Sequence, residues 1–199
     1  MVIKKFYAAL LFLSPPPIVT HASEKKYRSH ASSEKPLPLP SLADPGSLDL
    51  TVVIPAYNET DRLPSMLATT IEHLGAQKKR SSEILIVDDG SSDDTTGKAT
   101  ELAHQYPKFD IRVAKLEKNL GKGGAVRHAM LHSRGHRLLM VDADGASRFE
   151  DLELLWKAMD VLAPGNEPAV VIGSRAHLVK TDAVVRVRMI FRFSCDISD

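Results

Sequence analysis

Asp142 and Asp144 are the residues whose types and spacing point most directly to chemistry. They follow the apolar run Gly135–Val141, which has the length and composition of a buried strand. Because alternate residues of an extended segment project to the same side, both carboxylates can approach one site. Carboxylate oxygens suit a hard cation such as Mg²⁺ or Mn²⁺, which takes its other ligands from phosphate and water. The alternative is a chance Asp-x-Asp, because Asp also favours turns after strands.

A second acidic pair, Asp88 and Asp89, follows another apolar run, Glu83–Val87. Two acids at the end of a buried strand repel each other and lose hydration, so a purely structural pair is costly. Carboxylates at this position can accept hydrogen bonds from a nucleotide base or a sugar hydroxyl. The alternative is a polar strand–helix turn in which Ser92 or Asp93 caps the next helix.

Three weaker signals follow other predicted strands. Pro55, Tyr57 and Glu59 offer an aromatic ring for stacking on a base and a carboxylate, although a packed tyrosine is an equal alternative. Lys122 lies in a glycine cluster that opens a helix, where backbone N–H groups bind anions; a flexible turn with a solvated lysine is the alternative. Arg175 suits bidentate contact with a phosphate, or is simply a surface arginine.

His128 and His132 are four residues apart on a predicted helix, a spacing that also occurs in zinc sites. The zinc-protease motif places a glutamate directly after its first histidine, whereas Ala129 follows His128. The sequence therefore gives little support to a zinc site here.

Apolar strands that alternate with helical segments must position these residues. The predicted strands are residues 50–54, 83–87, 111–116, 137–141 and 169–172, and the predicted helices are residues 61–77, 93–106, 121–133 and 151–162. Helical crossovers make consecutive strands parallel, and ligands bind at the carboxyl edge of such sheets. The sequence therefore predicts an α/β fold with an open, mostly parallel sheet and helices on both faces.

Length and composition favour a globular protein with one folded domain. A chain of 199 residues is long enough for a substantial core, and a formal net charge of +1 gives no field that favours nucleic acid. The single cysteine, Cys195, excludes an intrachain disulfide and favours a reducing compartment. We expect an apolar segment over residues 1–22, a Pro/Ser/Lys-rich linker over 23–48, the domain over 49–180, and a divergent tail over 181–199 in which a helix is possible.

The first segment begins with lysines and continues with the apolar run Phe6–Leu13. A helix that spans a bilayer needs roughly 20 apolar residues, so this run is short. It fits a signal peptide, a shortened membrane anchor or a flexible apolar tail.

Five segments, in order along the chain, resemble the family-2 inverting glycosyltransferases of GT-A fold, and among them the dolichyl-phosphate β-glucosyltransferases. They are residues 52–59 (V-V-I-P-A-Y-N-E), 86–95 (I-V-D-D-G-S-S-D-D-T), 118–127 (K-N-L-G-K-G-G-A-V-R), 141–146 (V-D-A-D-G-A) and 173–178 (G-S-R-A-H-L). The first two are shared by many sugar-nucleotide transferases, and the last three point to the glucosyl branch.

This resemblance implies transfer of glucose from UDP-glucose to dolichyl phosphate, with Mg²⁺ or Mn²⁺, for the assembly of N-glycan precursors. It implies a location at the endoplasmic reticulum membrane with the catalytic domain facing the cytosol, and no nucleic-acid partner. It assigns the diphosphate and the metal ion to Asp142 and Asp144. The other nucleotide-sugar-binding residues that it implies are Pro55, Tyr57, Glu59, Asp88, Asp89, Lys122 and Arg175.

The resemblance further implies that family members continue well beyond the last residue of this chain. We therefore expect the chain to hold the donor half of the site in an incomplete domain. The alternative is an inactive fragment or a non-catalytic module that binds a nucleotide sugar. A phospho-acceptor receiver domain is disfavoured, because receivers carry their acidic pair after the first strand rather than the second.

Overall fold

A computed structural model describes residues 21–32, 35–77, 79–164, 167–173 and 188–192. Within these ranges the chain forms eight strands and four α-helices. The strands are β1 (Lys26–Arg28), β2 (Leu37–Pro38), β3 (Leu48–Ala56), β4 (Ser82–Asp88), β5 (Asp110–Lys115), β6 (Gly135–Met140), β7 (Val170–Gly173) and β8 (Arg188–Arg192). The helices are α1 (Leu63–Ala76), α2 (Thr95–Gln105), α3 (Gly121–Leu131) and α4 (Leu152–Leu162), with short 3₁₀ helices at Ala22–Lys25 and Phe149–Asp151.

All eight strands belong to one sheet, in the order β2-β1-β5-β4-β3-β6-β8-β7. The central strand, β3, pairs in parallel with β4 and β6, so that Val52 lies opposite Ile84 on one side and Leu139 on the other. β5 extends the parallel part by pairing with β4. The predicted α/β fold with a mostly parallel sheet is therefore confirmed, and its central strands are rich in Val, Ile and Leu because both faces are covered.

Helices cover both faces of the sheet. Val52 packs in a large core beneath α1, α2 and α4, and Val53, the next residue, packs on the opposite face beneath α3. The large core includes Ile54, Leu67, Leu102, Leu155 and Met159. The smaller core includes Leu85, Val87, Leu116, Ala125 and Ala129. This alternation along β3 follows from the two-residue period of a strand.

The segment expected to be a linker, residues 23–48, is instead partly built into the sheet. β1 pairs antiparallel with β5, with Tyr27 opposite Ala114, and β2 pairs with β1. The buried ring of Tyr27 lies 4.5 Å from the guanidinium carbon of Arg112. The carboxylate of Glu24 is also buried and accepts hydrogen bonds from the backbone N–H groups of His21 (2.8 Å) and Glu117 (3.0 Å). The amino-acid composition of this segment did not predict its docking, because composition averages over the whole Pro/Ser/Lys-rich stretch. A few apolar contacts and backbone hydrogen bonds are enough to cover the edge of β5.

The last strands also depart from the expected pattern. The predicted strand over residues 169–172 is present as β7, but β8 lies between β7 and β6 and is antiparallel to both. The helix considered for the tail is thus wrong over residues 188–192, which form a strand. Residues 1–20 and the rest of the tail lie outside the described residues. Among the described helices, none has both the length and the apolar character to cross a membrane.

Trp156 packs α4 against the amino end of the sheet. Its ring lies between two guanidinium groups, those of Arg80 and Arg137, each with its central carbon 4.1 Å from the ring centroid. Arg80 also donates two hydrogen bonds of 2.8 Å to Glu153 of the same helix. These contacts combine cation–π attraction with a bidentate ion pair.

A buried carboxylate, that of Glu83 at the start of β4, connects the amino ends of neighbouring strands. It accepts hydrogen bonds from the hydroxyl of Thr51 in β3 (2.7 Å) and from the backbone N–H (2.7 Å) and Nε (2.8 Å) of Arg134, directly before β6. Arg112 of β5 lies 3.5 Å away and also contacts Asp110 at 3.1 Å. The Glu83 side chain is fully buried, so these partners replace its lost hydration.

His128 and His132 hold the amino-terminal segment against α3. The ring centroids of the two histidines are 4.8 Å apart, and Nδ1 of His132 donates a hydrogen bond of 2.6 Å to the carbonyl oxygen of Pro40. His128 is buried, and its Nε2 has no hydrogen-bond partner among the described residues. In the same part of the chain no group of three or more His, Cys, Asp or Glu side chains is placed to hold a metal ion. The pair therefore packs the amino-terminal segment against α3.

Replacing Glu83 with Gln tests whether the buried carboxylate stabilises the fold. The variant removes the buried negative charge that Arg134 and Arg112 contact and leaves them, among the described acids, with Asp110 alone, so we expect the free energy of unfolding in urea to fall by about 3 kcal/mol. The matched control is Glu101→Gln, because Glu101 pairs with Lys98 on the surface of α2 and its side chain is 65% exposed. That variant should lose less than about 1 kcal/mol when both are followed by circular dichroism. Equal stability of the two variants would contradict this role for Glu83.

His128 should make stability depend on pH. Burial lowers the pKa of His128 from the ordinary 6.5, and the charge of His132 acts in the same direction, while a hydrogen bond with the backbone of Glu24 opposes both. Below pH 6.5 the unfolded chain therefore binds more protons than the folded chain, and stability falls as the pH falls. His128→Gln should flatten this part of the curve of unfolding free energy against pH. His104→Gln, at an exposed position of α2, should leave the slope unchanged.

Candidate functional site

A cleft of about 780 Å³ opens at the carboxyl edge of the parallel strands, where the sequence predicts a site. Its walls include seven of the predicted residues: Pro55, Tyr57, Glu59, Asp89, Lys122, Asp142 and Asp144. Asp88 does not line it. Arg175 lies outside the described residues, so its predicted contact with phosphate stays a prediction.

The cleft forms because three neighbouring strands end together. The loops after β3, β4 and β6 supply the acidic residues, and the loop before α3 closes one side. Gly90 permits this closure, because its φ of +67° is left-handed and an added Cβ would lie 2.7 Å from the backbone nitrogen of Asn119. A side chain at position 90 would push these two loops apart.

The loop after β3 is held by polar contacts with the loop after β4. The side-chain oxygen of Asn58 accepts a hydrogen bond from the backbone N–H of Ser92 (3.0 Å), and the backbone N–H of Asn58 donates to Ser91 Oγ (2.9 Å). Asn58 has a φ of +55°, which Asn tolerates better than most residues. The neighbouring Tyr57 side chain is not packed away, since the residue is 47% exposed. Its ring is thus accessible at the rim of the cleft.

Asp93 fixes the start of α2 against the same loop. Its carboxylate accepts hydrogen bonds from the hydroxyl of Thr60 (2.7 Å) and from the backbone N–H of Thr95 (3.0 Å). Burial acts to raise the pKa of Asp93, but hydrogen bonds from Thr95 and Thr60 outweigh it and lower the pKa to about 2. The prediction that Ser92 or Asp93 caps this helix is wrong in position, because the residue that directly precedes α2 is Asp94, which makes no side-chain capping hydrogen bond. Asp93 accepts the hydrogen bond of the first helical N–H from one residue earlier.

Glu59 lines the cleft with a carboxylate of which only one oxygen has a hydrogen-bond partner among the described residues. Its Oε1 accepts a hydrogen bond of 2.7 Å from Arg62, whereas its buried Oε2 has no partner among the described residues. Burial raises the pKa of Glu59, and the charge of Arg62 lowers it in part. A ligand that donates a hydrogen bond to Oε2 would therefore stabilise this wall.

The two acids after β4 have different surroundings. Asp88 turns into the protein, where it accepts hydrogen bonds from the backbone N–H of Ser91 (2.9 Å) and from the hydroxyl of Thr96. Asp89 faces the cleft and accepts a hydrogen bond of 2.8 Å from the backbone N–H of Leu120. Burial raises the pKa of Asp89, while hydrogen bonds from the Leu120 and Gly121 backbone oppose it. Of the predicted nucleoside-binding pair, only Asp89 is thus available to a ligand in the cleft.

The two acids after β6 lie together in the cleft. Asp142 forms an ion pair with Lys122 of α3, and Asp144 accepts a hydrogen bond of 2.9 Å from the backbone N–H of Ala146. Ala143 between them is buried, which keeps both acids at the surface of the cleft. Lys122, expected to bind an anion, therefore has a carboxylate as its partner.

These two carboxylates fit a divalent cation that keeps most of its ligands from elsewhere. Carboxylate oxygens are the donors that Mg²⁺ and Mn²⁺ prefer, and one or two of them suffice when phosphate and water complete the shell. The ammonium of Lys122 at Asp142 shows that this wall already accommodates positive charge. In the part of the chain that the structure describes, no third acid or histidine is close enough to form a closed metal cage.

Sequence reasoning missed Arg62 and Asn119, which also line the cleft. The three-residue spacing from Glu59 to Arg62 at the start of a helix was the available signal, because such pairs meet on one face. Asn119 carries a weaker signal, as it precedes a glycine that opens α3. Its side-chain oxygen accepts a hydrogen bond of 2.8 Å from the Gly121 backbone N–H.

The sequence pattern of the family described as "Glycosyl transferase family 2" matches residues 51–185, more than half of the chain. Similar curated proteins include the dolichyl-phosphate β-glucosyltransferase of Homo sapiens, 41% identical over 175 residues, which cover 85% of this chain and 54% of the human protein. The Saccharomyces cerevisiae protein of the same name is 39% identical over 198 residues, which cover 92% of this chain and 59% of the yeast protein. The chain thus spans about half the length of the curated relatives it matches.

Among the solved structures to which the chain is similar is that of a mannosyltransferase from Pyrobaculum calidifontis in complex with GDP-mannose and Mn²⁺. It is 18% identical, with a TM-score of 0.48, and the match covers 79% of this chain and 39% of that one.

Asp88→Asn and Asp89→Asn should have separable effects. Asp88→Asn weakens two partly buried hydrogen bonds of a buried carboxylate, so we expect a loss of about 1–3 kcal/mol in unfolding free energy. Asp89→Asn removes a charge whose pKa burial raises, so stability at pH 7 should stay equal or increase. UDP, the nucleotide that the family resemblance implies, serves as the probe of the cleft: the same variant should weaken its binding by about 10-fold or more, as measured by calorimetry. The assignment fails if Asp88→Asn abolishes UDP binding at unchanged stability.

Proposed function

The chain belongs to glycosyltransferase family 2, and from that premise we propose that the whole protein transfers glucose from UDP-glucose to dolichyl phosphate. The names of relatives about 40% identical support glucose as the sugar and dolichyl phosphate as the acceptor. The observation that carries the proposal is the cleft in which Glu59, Asp89, Asp142 and Asp144 converge at the carboxyl edge of the sheet. Such an edge is the binding position of open α/β sheets.

The residues that line the cleft support one orientation of the donor, with its uridine at Tyr57 and Asp89 and its diphosphate at Asp142 and Asp144. Tyr57 and Asp89 offer a ring face and hydrogen-bond acceptors to the uridine end. Asp142 and Asp144 would hold a Mg²⁺ or Mn²⁺ ion, which supplies positive charge to the diphosphate. The positive end of the helix dipole of α3, near Gly121, adds attraction for the diphosphate.

The reaction requires that the two phosphate groups are oriented and their charge is neutralised, more than it requires a strong general base. The second pKa of a phosphate monoester is near 6, so the acceptor is largely dianionic at neutral pH. One of its oxygens forms the new bond to the anomeric carbon while the bond from that carbon to UDP breaks, which inverts the centre to the β product. No proton has to be removed from the acceptor, so residues that position both phosphates contribute most.

We extend the proposal to the setting of the reaction. A lipid-linked acceptor requires the whole protein to work at a membrane, and we infer the cytosolic face of the endoplasmic reticulum, as the family resemblance implies. Arg175 remains a candidate for contact with one of the phosphates.

A second candidate is a module that binds the nucleotide sugar without turnover. It is favoured by the lining of the cleft, where seven of the residues predicted to bind a nucleotide sugar meet. Donor binding and transfer are therefore best measured separately.

Incubation with UDP-[¹⁴C]glucose and dolichyl phosphate, followed by organic extraction, tests the transferase. We expect lipid-linked label only when Mg²⁺ or Mn²⁺ is present, and none from labelled GDP-mannose. Asp142→Asn should lower the rate by about 100-fold or more, whereas Asp160→Asn on α4, away from the cleft, should leave it unchanged. UDP binding without labelled product would support the module, and absence of UDP binding would overturn both candidates.

A further inference from the structure

Lys122 and Asp142 form an ion pair in the cleft, although both belong to the predicted donor site. The ammonium contacts Oδ1 of the carboxylate. The Lys122 side chain is 57% exposed and the Asp142 side chain 22% exposed, so the lysine approaches from the rim while the carboxylate belongs to the wall. One of the two carboxylate oxygens that a divalent cation could use is thus already in contact with a positive charge.

The charge balance of the cleft favours this pair as long as no ligand is bound. Among the described residues, four acids and two bases line the cleft: Glu59, Asp89, Asp142, Asp144, Arg62 and Lys122. Arg62 is engaged by Glu59 at 2.7 Å. If Lys122 left Asp142 without a replacement, repulsion among the carboxylates would increase.

A second position for the ammonium lies at the start of the same helix. Lys122 is the second residue of α3, between Gly121 and Gly123. At both glycines an added Cβ would find no other atom within 4 Å, so the space beside this turn is open. A diphosphate at the start of α3 would therefore give the Lys122 side chain a new anionic partner without a shift of the backbone.

We propose that Lys122 is an internal counter-ion that changes partner: it neutralises Asp142 in the empty cleft and moves to the diphosphate when a divalent cation replaces it. The inference rests on the proposed function, which supplies the diphosphate. This exchange makes cation and nucleotide bind cooperatively. A cation that binds Asp142 releases Lys122 for the diphosphate, and a diphosphate that binds Lys122 releases Asp142 for the cation. By linkage, each raises the affinity of the other by the same factor, typically about 5- to 150-fold in proteins.

Titration of Mn²⁺ into the protein, with free Mn²⁺ followed by electron paramagnetic resonance, tests this exchange without turnover. After correction for the Mn²⁺–UDP complex in solution, UDP should lower the dissociation constant for Mn²⁺ at least about 5-fold in the wild type. Lys122→Met should bind Mn²⁺ at least about 5-fold more tightly than the wild type without UDP. UDP should then tighten Mn²⁺ binding by a smaller factor than in the wild type, because the phosphate ligands of the cation remain but the exchange of Lys122 is lost. Lys118→Met removes an equal charge from an exposed position of the preceding loop and should behave like the wild type.

The outcomes separate this inference from the proposed function. Equal affinity of the wild type and Lys122→Met for Mn²⁺ without UDP would overturn the exchange but leave the donor site in place. An equal tightening in Lys118→Met would also overturn it, since the effect would then reflect overall charge. If Mn²⁺ binds neither protein even with UDP, and Asp142→Asn behaves identically, the proposed cation site itself is wrong. Circular dichroism of each variant checks that the fold is kept.

Discussion

The buried carboxylate of Glu83 is the contact on which the alignment of the sheet depends. It receives hydrogen bonds from Thr51 in β3 and from Arg134 before β6, so that one side chain in β4 connects three neighbouring strands at their amino ends. An ionised group is costly to bury unless all of its partners are present, which penalises any other register. Because these strands are parallel, alignment at one edge also determines which residues meet at the opposite edge.

Charges at the two edges are satisfied to different degrees. Glu83 has partners on both oxygens, whereas Glu59 in the cleft keeps one buried oxygen without a partner among the described residues. Burial also raises the pKa of Asp89 and Glu59. Partly satisfied acids in a cleft are typical of binding sites, because a ligand can supply the missing donors and positive charge. The amino edge of the sheet, where Glu83 has its partners within the protein, thus holds in place a carboxyl edge whose acids need a ligand to supply their partners.

The sequence was sufficient for the parallel core and for the position of the cleft, because β-branched runs and strand-end acids carry local signals. It was not sufficient to separate Asp88 from Asp89, since the direction of a side chain in a turn depends on partners such as Thr96 and Leu120. The docking of Tyr27 was missed for a similar reason. A three-residue edge strand has almost no period of its own and forms only because β5 offers an unpaired edge.

Trp156, the single tryptophan of the chain, is enclosed by Arg80 and Arg137 at the edge of the sheet opposite the cleft. Its fluorescence should therefore report whether α4 is seated on the sheet and should respond little to occupancy of the cleft. Cations stacked on an indole alter its emission. When unfolding separates Trp156 from the two arginines, the emission should therefore change, and the change can be assigned to this one position. The protein thus contains an intrinsic optical probe that distinguishes loss of the scaffold from changes at the ligand-binding edge.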